Sequence, residues 1–251
     1  MENRILKFWD DRALKKNLVC TNDDLLENFE LKFLIRLIKK NSFVLDIGSG
    51  DGTLLHKLNT LKKTNGTGID FSQNLINLAR KKDKKANYIC LDMQKINTLK
   101  NKLRKYDFIV TKRSIQNLSS WDDQKKFINH IYLFCKKNTK IYFIESSKDT
   151  LENINNSRKK FGLKKILMPW HNLYLDDKKI LNTKFKKIKL VKIHELCSTY
   201  YYYSRVINAA LSKKESRKPK YKDHLNLLGW RASQDLIKGF SQLKMYEFKK
   251  V

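Results

Sequence analysis

The chain has 251 residues and a formal net charge of +29, with 41% hydrophobic and 11% aromatic residues. These fractions exclude a mainly disordered chain, and two prolines with eight glycines exclude collagen-like or linker architectures. The apolar stretches are too short to span a bilayer, and no signal-like apolar block opens the sequence. We therefore expect a globular cytoplasmic protein with a single domain over residues 1–251 and no membrane span.

The positive charge comes mainly from lysine, with 44 lysines against 10 arginines. The lysines are spread along the whole chain, as in proteins encoded by AT-rich genomes. A dedicated nucleic-acid surface more often uses arginine and concentrates its charge on one face. We therefore interpret the excess as a solvated surface whose field attracts a small anionic substrate, and we do not expect a nucleic-acid partner.

The four cysteines are Cys20, Cys90, Cys135 and Cys197. They lie far apart and form no CxxC pair, so neither a metal site nor a disulfide framework is expected. We expect four free thiols in a reducing compartment.

Short apolar runs alternate with amphipathic segments through the first 150 residues. The apolar runs predict strands at Phe43–Ile47, Gly68–Asp70, Asn87–Leu91, Tyr106–Thr111 and Lys140–Glu145. The helical spacing predicts helices at Leu25–Lys39, Thr53–Leu61, Asn74–Lys82 and Asp122–Lys136. This alternation predicts an α/β protein with a Rossmann-like doubly wound sheet, mostly parallel, covered by helices on both faces.

Two further strands are predicted near the end of the chain, at Lys186–Leu196 and Leu243–Lys250. Paired like a hairpin, they would bring the sheet to about seven strands and make the C-terminal strand antiparallel. The long segment between them, Ser198–Phe240, is interpreted as a lid, because insertions of this length in compact domains are usually functional.

The most informative motif runs from Val44 to Thr53, where a strand is followed by three glycines and then a helix. The GxGxG spacing differs from the GxGxxG of dinucleotide-binding loops. The carboxylates of Asp46 and Asp51 would repel a pyrophosphate and would suit a cationic ligand, such as a sulfonium with an amino-acid tail. Asp70, at the end of the second strand, is placed to accept hydrogen bonds from ribose hydroxyls.

Four segments between Phe43 and Glu145 carry a resemblance to a known family. They are Val44–Thr53 (VLDIGSGDGT), Gly68–Asp70, Cys90–Met93 and Tyr106–Thr111. Through them the sequence resembles the class I S-adenosyl-L-methionine-dependent methyltransferases, which implies S-adenosyl-L-methionine as cofactor. The cofactor-binding core is then residues 42–146, between an N-terminal helical cap at 1–41 and substrate-side segments at 147–251.

The resemblance also implies which residues bind the cofactor. They are Asp46, Gly48, Gly50 and Gly52 at the methionine side, Asp70 at the ribose, Asp92 and Met93 at the adenine, Thr111 below the transferred methyl, Phe71, and Arg12 as partner of the cofactor carboxylate.

Residues 111–121, 168–174 and 198–206 resemble a narrower group, the bacterial small-molecule O-methyltransferases associated with surface-polysaccharide genes. This implies methylation on oxygen of a small anionic metabolite. Nucleotide-linked sugars and phosphoryl-bearing compounds, such as phosphoramidates, that are precursors of capsule or another surface polysaccharide are the expected acceptors. The candidate substrate-binding residues are Trp170, Asn172, Tyr200, Tyr201 and Arg205.

Three residues are candidates for the catalytic step. His171 lies in an aromatic loop after the fifth strand and could accept a proton near neutral pH. Glu145, at the end of the fifth strand, is the rival base, and Arg113 follows the fourth strand where the pocket is expected. The tyrosines from 200 to 203 could instead be an aromatic patch of the core.

Other activities of the same fold leave different signatures. Amino-directed nucleic-acid enzymes usually carry an Asn/Asp-Pro-Pro-aromatic element after the fourth strand, and carbon-directed pyrimidine enzymes need a cysteine there. This chain has Thr111–Ser114 at that place. An RNA ribose O-methyltransferase and a non-catalytic cofactor-binding partner subunit remain the alternatives.

Overall fold

A computed structural model describes residues 2–14 and 23–251, which leaves Cys20 outside the described residues. Seven strands of the described chain form one sheet. They are β1 (Phe43–Ile47), β2 (Asn65–Asp70), β3 (Asn87–Cys90), β4 (Tyr106–Lys112), β5 (Cys135–Ser146), β6 (Ile188–Glu195) and β7 (Leu243–Lys250). Their order is β3-β2-β1-β4-β5-β7-β6, and β7 alone runs antiparallel to its neighbours. The predicted Rossmann-like sheet with an antiparallel C-terminal strand is confirmed.

Ten α-helices accompany the sheet within the described residues. They are α1 (Glu2–Leu14), α2 (Asp24–Leu37), α3 (Thr53–Lys62), α4 (Gln73–Lys82), α5 (Trp121–His130), α6 (Lys148–Lys160), α7 (Asp177–Asn182), α8 (Ser198–Tyr202), α9 (Asn208–Lys214) and α10 (His224–Arg231). Five of them begin where an Asp or Ser side chain accepts the backbone N–H three residues ahead. These caps satisfy N–H groups that the helix itself leaves unpaired, so the sequence marks those starts.

The segment before β5 differs from the prediction of one helix from Asp122 to Lys136. Helix α5 ends at His130, a 3₁₀ turn spans Ile131–Phe134, and β5 already begins at Cys135. The strand accommodates this early start by a register shift opposite β4. Thr139 holds the shifted part, since its hydroxyl accepts from Lys136 N at 2.8 Å and lies 2.6 Å from Tyr106 O.

Both faces of the central strands β1 and β4 are buried, as expected for parallel strands with helices on each side. Successive residues of β1 show this, because Val44 and Leu45 are both fully buried but belong to different hydrophobic clusters. The Val44 cluster contains residues of α2, α3, α4, α6 and α8. The Leu45 cluster contains residues of α5 and α7 and of the 3₁₀ turns. The carboxyl edge of the sheet is left for the loops.

The segment between β6 and β7 is helical and packs on the Val44 cluster. Tyr200 and Tyr201 of α8 and Val206 of the following π-helical turn (Tyr203–Ile207) are buried there. The hydroxyl of Tyr200 donates to the carboxylate of Asp23, the N-cap of α2, at 2.9 Å. This contact fastens the insertion to α2; its role as a lid stays a prediction. No helix of the described chain is long and apolar enough to cross a membrane.

The Tyr200→Phe substitution should lower the free energy of unfolding by about 1.5–3 kcal/mol, because it removes a buried hydrogen bond to a charged group. Urea unfolding followed by circular dichroism measures the change. Tyr202→Phe is the matched control, since Tyr202 packs its ring against Phe240 and its hydroxyl makes no hydrogen bond to the described residues. An equal loss in both variants would contradict a specific role for the Tyr200 hydroxyl.

Candidate functional site

A cavity opens at the carboxyl ends of β1, β2 and β4, with ≈ 1190 Å³ of empty space including its mouth. It lies where the strand order reverses between β1 and β4, the usual ligand position in open α/β sheets. Its walls are formed by Ile5, Trp9, Asp46, Gly48, Ser49, Gly50, Asp51, Thr53, Leu54, Ile69, Asp70, Phe71, Leu75, Leu91, Asp92, Met93, Gln94, Lys112, Arg113, Ser114, Asn117 and Leu118. Most predicted cofactor residues therefore meet at one place.

The glycine loop after β1 needs glycine for two different reasons. Gly48 has a positive φ of 75°, and a Cβ there would lie 2.2 Å from the Cβ of Ser114, which follows β4. Gly52 has φ 74°, and a Cβ there would lie 2.5 Å from the Tyr88 hydroxyl. Gly48 thus lets the loop and the turn after β4 approach each other at the cavity wall, whereas Gly52 serves packing outside it.

Asp70 joins the end of β2 to the glycine loop. Its Oδ2 accepts from Gly50 N at 2.9 Å, and its Oδ1 accepts from Ser72 N at 3.0 Å. Burial raises the pKa of Asp70 to about 6, against the effect of these N–H donors. Each oxygen keeps further acceptor capacity, so the carboxylate can receive hydroxyl donors from a ligand in the cavity.

Asp46 offers the clearest unused acceptor in the cavity. Its side chain is 2% exposed, and its Oδ1 has no hydrogen-bond partner among the described residues. Burial raises the pKa of Asp46 to about 7, while the charge of Lys112 acts in the opposite direction. Asp51, by contrast, is occupied by Lys82 and Thr53. An orphaned buried carboxylate beside a glycine loop fits a cationic or N–H-bearing part of a ligand.

Asp92 and Met93 line the opposite end of the cavity, after β3. Asp92 is also a helix cap, because its Oδ1 accepts from Gln94 N at 2.9 Å at the start of the 3₁₀ segment Met93–Leu99. Asp92 can cap the 3₁₀ segment and line the cavity at the same time, because the capping hydrogen bond fixes its carboxylate at the cavity wall. Phe71 adds an aromatic side chain to the same end.

Glu145 holds the turn that follows β4. It is fully buried, accepts from the Thr111 hydroxyl at 2.8 Å and from the N–H groups of Ser114 and Ile115, both at 3.1 Å. Gln116 N donates to the second oxygen at 3.3 Å. Burial raises the pKa of Glu145 to about 7. Glu145 and Thr111 lie behind the cavity wall rather than in it.

Two cations lie at the wall near this turn. Arg113 has a positive φ of 55° and pairs with the fully buried Glu30 of α2, while Lys112 precedes it at the end of β4. Glu30 keeps the guanidinium at the end of the sheet. The turn therefore brings positive charge to the part of the cavity next to Asn117.

Helix α1 closes the cavity from the other side with Ile5 and Trp9. Its position is fixed by a hydrogen bond from the Ser72 hydroxyl to Asp10. The guanidinium of Arg12 lies 5.6 Å from the ring centre of Phe8 and 5.7 Å from that of Trp9. Arg12 is not one of the wall residues, and its pairing with a cofactor carboxylate stays a prediction.

The loop at residues 163–176 lies against α1. Both backbone polar groups of Leu173 form hydrogen bonds. Its N–H donates to Gln116 O at 2.6 Å, and its carbonyl accepts from Gln124 Nε2 at 2.7 Å. The preceding His171 stacks on Phe8, with ring centres 4.2 Å apart, and Trp170 contacts both rings. The loop thus places Trp170, His171 and Asn172 beside α1.

His171 is half-buried in this contact. Burial, together with the charge of Arg12, lowers the pKa of His171 below its usual value. The imidazole is therefore neutral at pH 7. Its Nδ1 is buried and has no hydrogen-bond partner among residues 2–14 and 23–251.

The five predicted substrate-binding residues all lie apart from the cavity wall, as does His171. Trp170 and Asn172 lie in the loop beside α1, and the other three lie near the start of α2. The hydroxyl of Tyr200 donates a hydrogen bond to the carboxylate of Asp23, and the guanidinium of Arg205 lies 3.5 Å from the same carboxylate. The Arg205 guanidinium also lies 5.5 Å from the ring centre of Tyr201. These contacts favour a role in packing α8 against α2, and contact with an acceptor stays a prediction for all three.

Sequence reasoning missed several wall residues. Trp9 lies in the N-terminal cap and Lys112 in the segment after the fourth strand, but nothing in their spacing indicates that they line the cavity. Asn117 could have been found as a polar side chain just beyond the fourth strand. No group of three or more His, Cys, Asp or Glu side chains in the described part of the chain could hold a metal ion.

Comparison with known families agrees with this geometry. A family model described as a methyltransferase domain matches residues 38–216, which include the glycine loop and strands β1 to β6. No curated protein sequence matches the chain.

Solved structures share the fold at low sequence identity. The N-methyltransferase NodS from Bradyrhizobium japonicum WM9, in complex with S-adenosyl-L-homocysteine, is 11% identical with a TM-score of 0.59, over 98% of each chain. A TehB-like SAM-dependent methyltransferase from Corynebacterium glutamicum is 12% identical with a TM-score of 0.55, over 89% of this chain and 88% of that chain. At these identities the likeness establishes a common fold.

Asp70→Ala should weaken binding of S-adenosylmethionine about tenfold or more, because a hydrogen bond to a charged group contributes about 1.5–3 kcal/mol. Isothermal titration calorimetry measures the affinity. Asp122→Ala is the control, since Asp122 is exposed on α5 outside this cavity. Unchanged affinity in Asp70→Ala would remove Asp70 from the binding site.

The affinity for S-adenosylmethionine should rise as the pH increases to about 7 and level off above it, because Asp70 and Asp46 keep their protons in the free protein up to pKa values of about 6 and about 7. Asp46→Asn should flatten the upper part of this rise. Because both folded-state pKa values exceed those of an unfolded chain, the free protein should lose stability from about pH 4, where the unfolded carboxyls ionise, up to about pH 7. Calorimetry and thermal unfolding across pH test both trends, and a pH-independent affinity would contradict the assignment.

Proposed function

Because this chain belongs to the methyltransferase-domain family and is an S-adenosylmethionine-dependent methyltransferase, we propose that it methylates an oxygen atom of a small anionic metabolite. The observation that carries the proposal is a group of unpaired polar atoms where α1, the turn after β4 and the 163–176 loop meet. They are Trp9 Nε1, Asn117 Oδ1, His171 Nδ1 and Asn172 Oδ1, all buried without a partner among the described residues.

Unpaired buried polar atoms are costly, and proteins usually keep them only where a ligand or water satisfies them. Trp9 offers one donor, and the two asparagines offer acceptors. They stand beside an aromatic wall formed by Phe8, Trp9 and Trp170. Such a mixture of stacked rings and a few polar atoms suits a small polar molecule such as a sugar or nucleotide.

The two cations at the cavity wall next to Asn117 support an anionic acceptor. Arg113 presents a planar guanidinium held by Glu30, and Lys112 adds a second positive charge. Guanidinium groups match phosphate and carboxylate oxygens through paired hydrogen bonds. The positive field of the whole chain further raises the encounter rate with an anion.

When bound, S-adenosylmethionine supplies an activated methyl group on a sulfonium. The residues of the chain contribute alignment, because Asp46, Asp70 and the glycine loop would hold the cofactor while α1 and the 163–176 loop exclude water. For a hydroxyl acceptor, the neutral imidazole of His171 would take the proton at Nδ1. For a phosphoryl or carboxylate oxygen, which is already anionic, positioning alone suffices.

Glu145 is the weaker of the two candidate bases. Its oxygens already accept four hydrogen bonds, from the Thr111 hydroxyl and three N–H groups of the following turn. Moving a proton to it would disturb that turn. We therefore assign Glu145 a positioning role and leave proton transfer to His171.

A nucleotide-linked sugar or another phosphoryl-bearing precursor of a surface polysaccharide is the acceptor class that we propose. It is supported by the resemblance of residues 111–121, 168–174 and 198–206 to enzymes encoded near such genes. It also agrees with the aromatic side chains shared by α1 and the 163–176 loop and with the two cations at the cavity wall.

A turnover assay with labelled cofactor tests the proposal on nucleotide sugars, sugar phosphates, phosphoramidates, amines and tRNA. His171→Ala should lower kcat about 100-fold with a hydroxyl acceptor and much less with an anionic oxygen. Arg113→Lys keeps the charge towards Glu30 but loses the planar fork, so KM for an anionic acceptor should rise. Arg231→Gln, on the exposed side of α10, is the control.

Methylation of an amine or of tRNA alone would replace the proposed acceptor class. Cofactor binding without turnover on any acceptor would favour the non-catalytic partner subunit. Wild-type kinetics in both His171→Ala and Arg113→Lys would show that the acceptor binds in another part of the molecule.

A further inference from the structure

The segment at residues 164–170, here called the Leu167 ridge, exposes apolar side chains next to lysines. Leu167 is 81% exposed, Trp170 49% and Met168 37%. Lys164 and Lys165 are exposed and form no ion pair within the described chain. No acidic residue occurs between Lys159 and Trp170. The ridge is therefore an apolar and cationic surface without internal charge compensation.

Hydrogen bonds define the conformation of the ridge on both sides. Asn155 of α6 brackets Ile166, donating to its carbonyl at 3.0 Å and accepting from its N–H at 2.8 Å. At the other end Asn172 N donates to Pro169 O at 3.0 Å. Because Ile166 packs on the Val44 cluster, the next side chain, Leu167, is directed to solvent. Its exposure is thus built into the fold.

Trp170 extends the ridge to α1. The guanidinium of Arg4 lies 4.3 Å from the centre of the Trp170 ring, which adds a third cation to the surface. The residues that follow, His171 and Asn172, belong to the proposed acceptor site. The ridge thus lies at the rim of that site.

We propose that the Leu167 ridge docks the protein on anionic lipid bilayers. Aliphatic side chains would enter the boundary between headgroups and acyl chains, Trp170 would lie at the headgroup level, and the lysines would meet lipid phosphates. Binding would be peripheral and reversible, because a few apolar residues and cations anchor a protein only weakly.

Two features favour a bilayer over other anionic partners. The apolar side chains of the ridge are exposed within four consecutive residues, Leu167 to Trp170, so they can enter a soft, flat surface together without a shaped pocket on the partner. RNA would be held through its phosphates and stacked bases, which gives no role to the aliphatic side chain of Leu167, 81% exposed. The combination of exposed leucine, tryptophan and lysines matches an interface that is apolar and anionic at once.

Co-sedimentation with vesicles tests this proposal independently of any methylation. Vesicles of phosphatidylcholine mixed with phosphatidylglycerol should bind the wild type at low salt, and vesicles of phosphatidylcholine alone should bind it much less. Lys164→Gln with Lys165→Gln should weaken binding about fivefold per lysine, and Leu167→Ser should weaken it by a similar factor.

Matched controls separate the ridge from the general charge of the chain. Lys39→Gln with Lys40→Gln removes two exposed lysines elsewhere, and Leu61→Ser removes a leucine that is 58% exposed at the end of α3. Both controls should bind as the wild type does. Thermal unfolding of each variant establishes that it is folded.

Three results would overturn the proposal. The wild type could fail to bind the anionic vesicles, or the ridge variants and the control variants could lose affinity equally, as expected for unspecific charge. Alternatively, Leu167→Ser could bind vesicles normally but lose affinity for a single-stranded RNA, which would identify the ridge as an RNA contact.

Discussion

The cavity depends on one buried carboxylate, that of Glu145 at the end of β5. By accepting the N–H groups of the turn after β4, it shapes the wall that carries Arg113 and Asn117. Ser114 of that turn fits against Gly48, and the carbonyl of Gln116 accepts a hydrogen bond from the N–H of Leu173 in the 163–176 loop. Replacing water around a carboxylate with four fixed donors is how the protein tolerates this burial. The proposed cofactor and acceptor sites thus share the same turn.

The fold and the convergence of the candidate cofactor residues could be predicted because they follow from local patterns. Apolar runs ending in glycines mark parallel strands, and the carboxyl ends of such strands meet at one edge, so Asp46, Asp70 and Asp92 were expected to converge. The cavity contains all three. Even Asp92, which also caps a 3₁₀ segment, could be placed from its position in the series of strands.

The proposed acceptor site, where α1, the turn after β4 and the 163–176 loop meet, could not be predicted in the same way, because it depends on contacts between segments far apart in sequence. Phe8 meets His171 across more than half of the chain, and no periodicity encodes that contact. Likewise, the sequence alone is compatible with either a substrate-binding or a core role for the tyrosines at positions 200 to 203. Their position depends on where α2 begins, because its N-cap residue Asp23 accepts a hydrogen bond from the hydroxyl of Tyr200. The end of α5 was missed because a bulge at Thr139 lets β5 start early.

The position of β7 has a consequence for how the molecule assembles. Strand β6 joins the sheet only through β7, which comes later in the sequence and is inserted between β5 and β6. While the chain is being synthesised, β6 has no strand to pair with, and β5 presents a long unpaired edge. The half of the sheet that contains the cofactor cavity can form before this, as its strands β1 to β5 pair without β7. During translation the growing chain can therefore form the cavity at the carboxyl ends of β1, β2 and β4 while the edge of β5 is still unpaired. An unpaired strand edge is prone to aggregation, and chaperones can protect the chain at this stage.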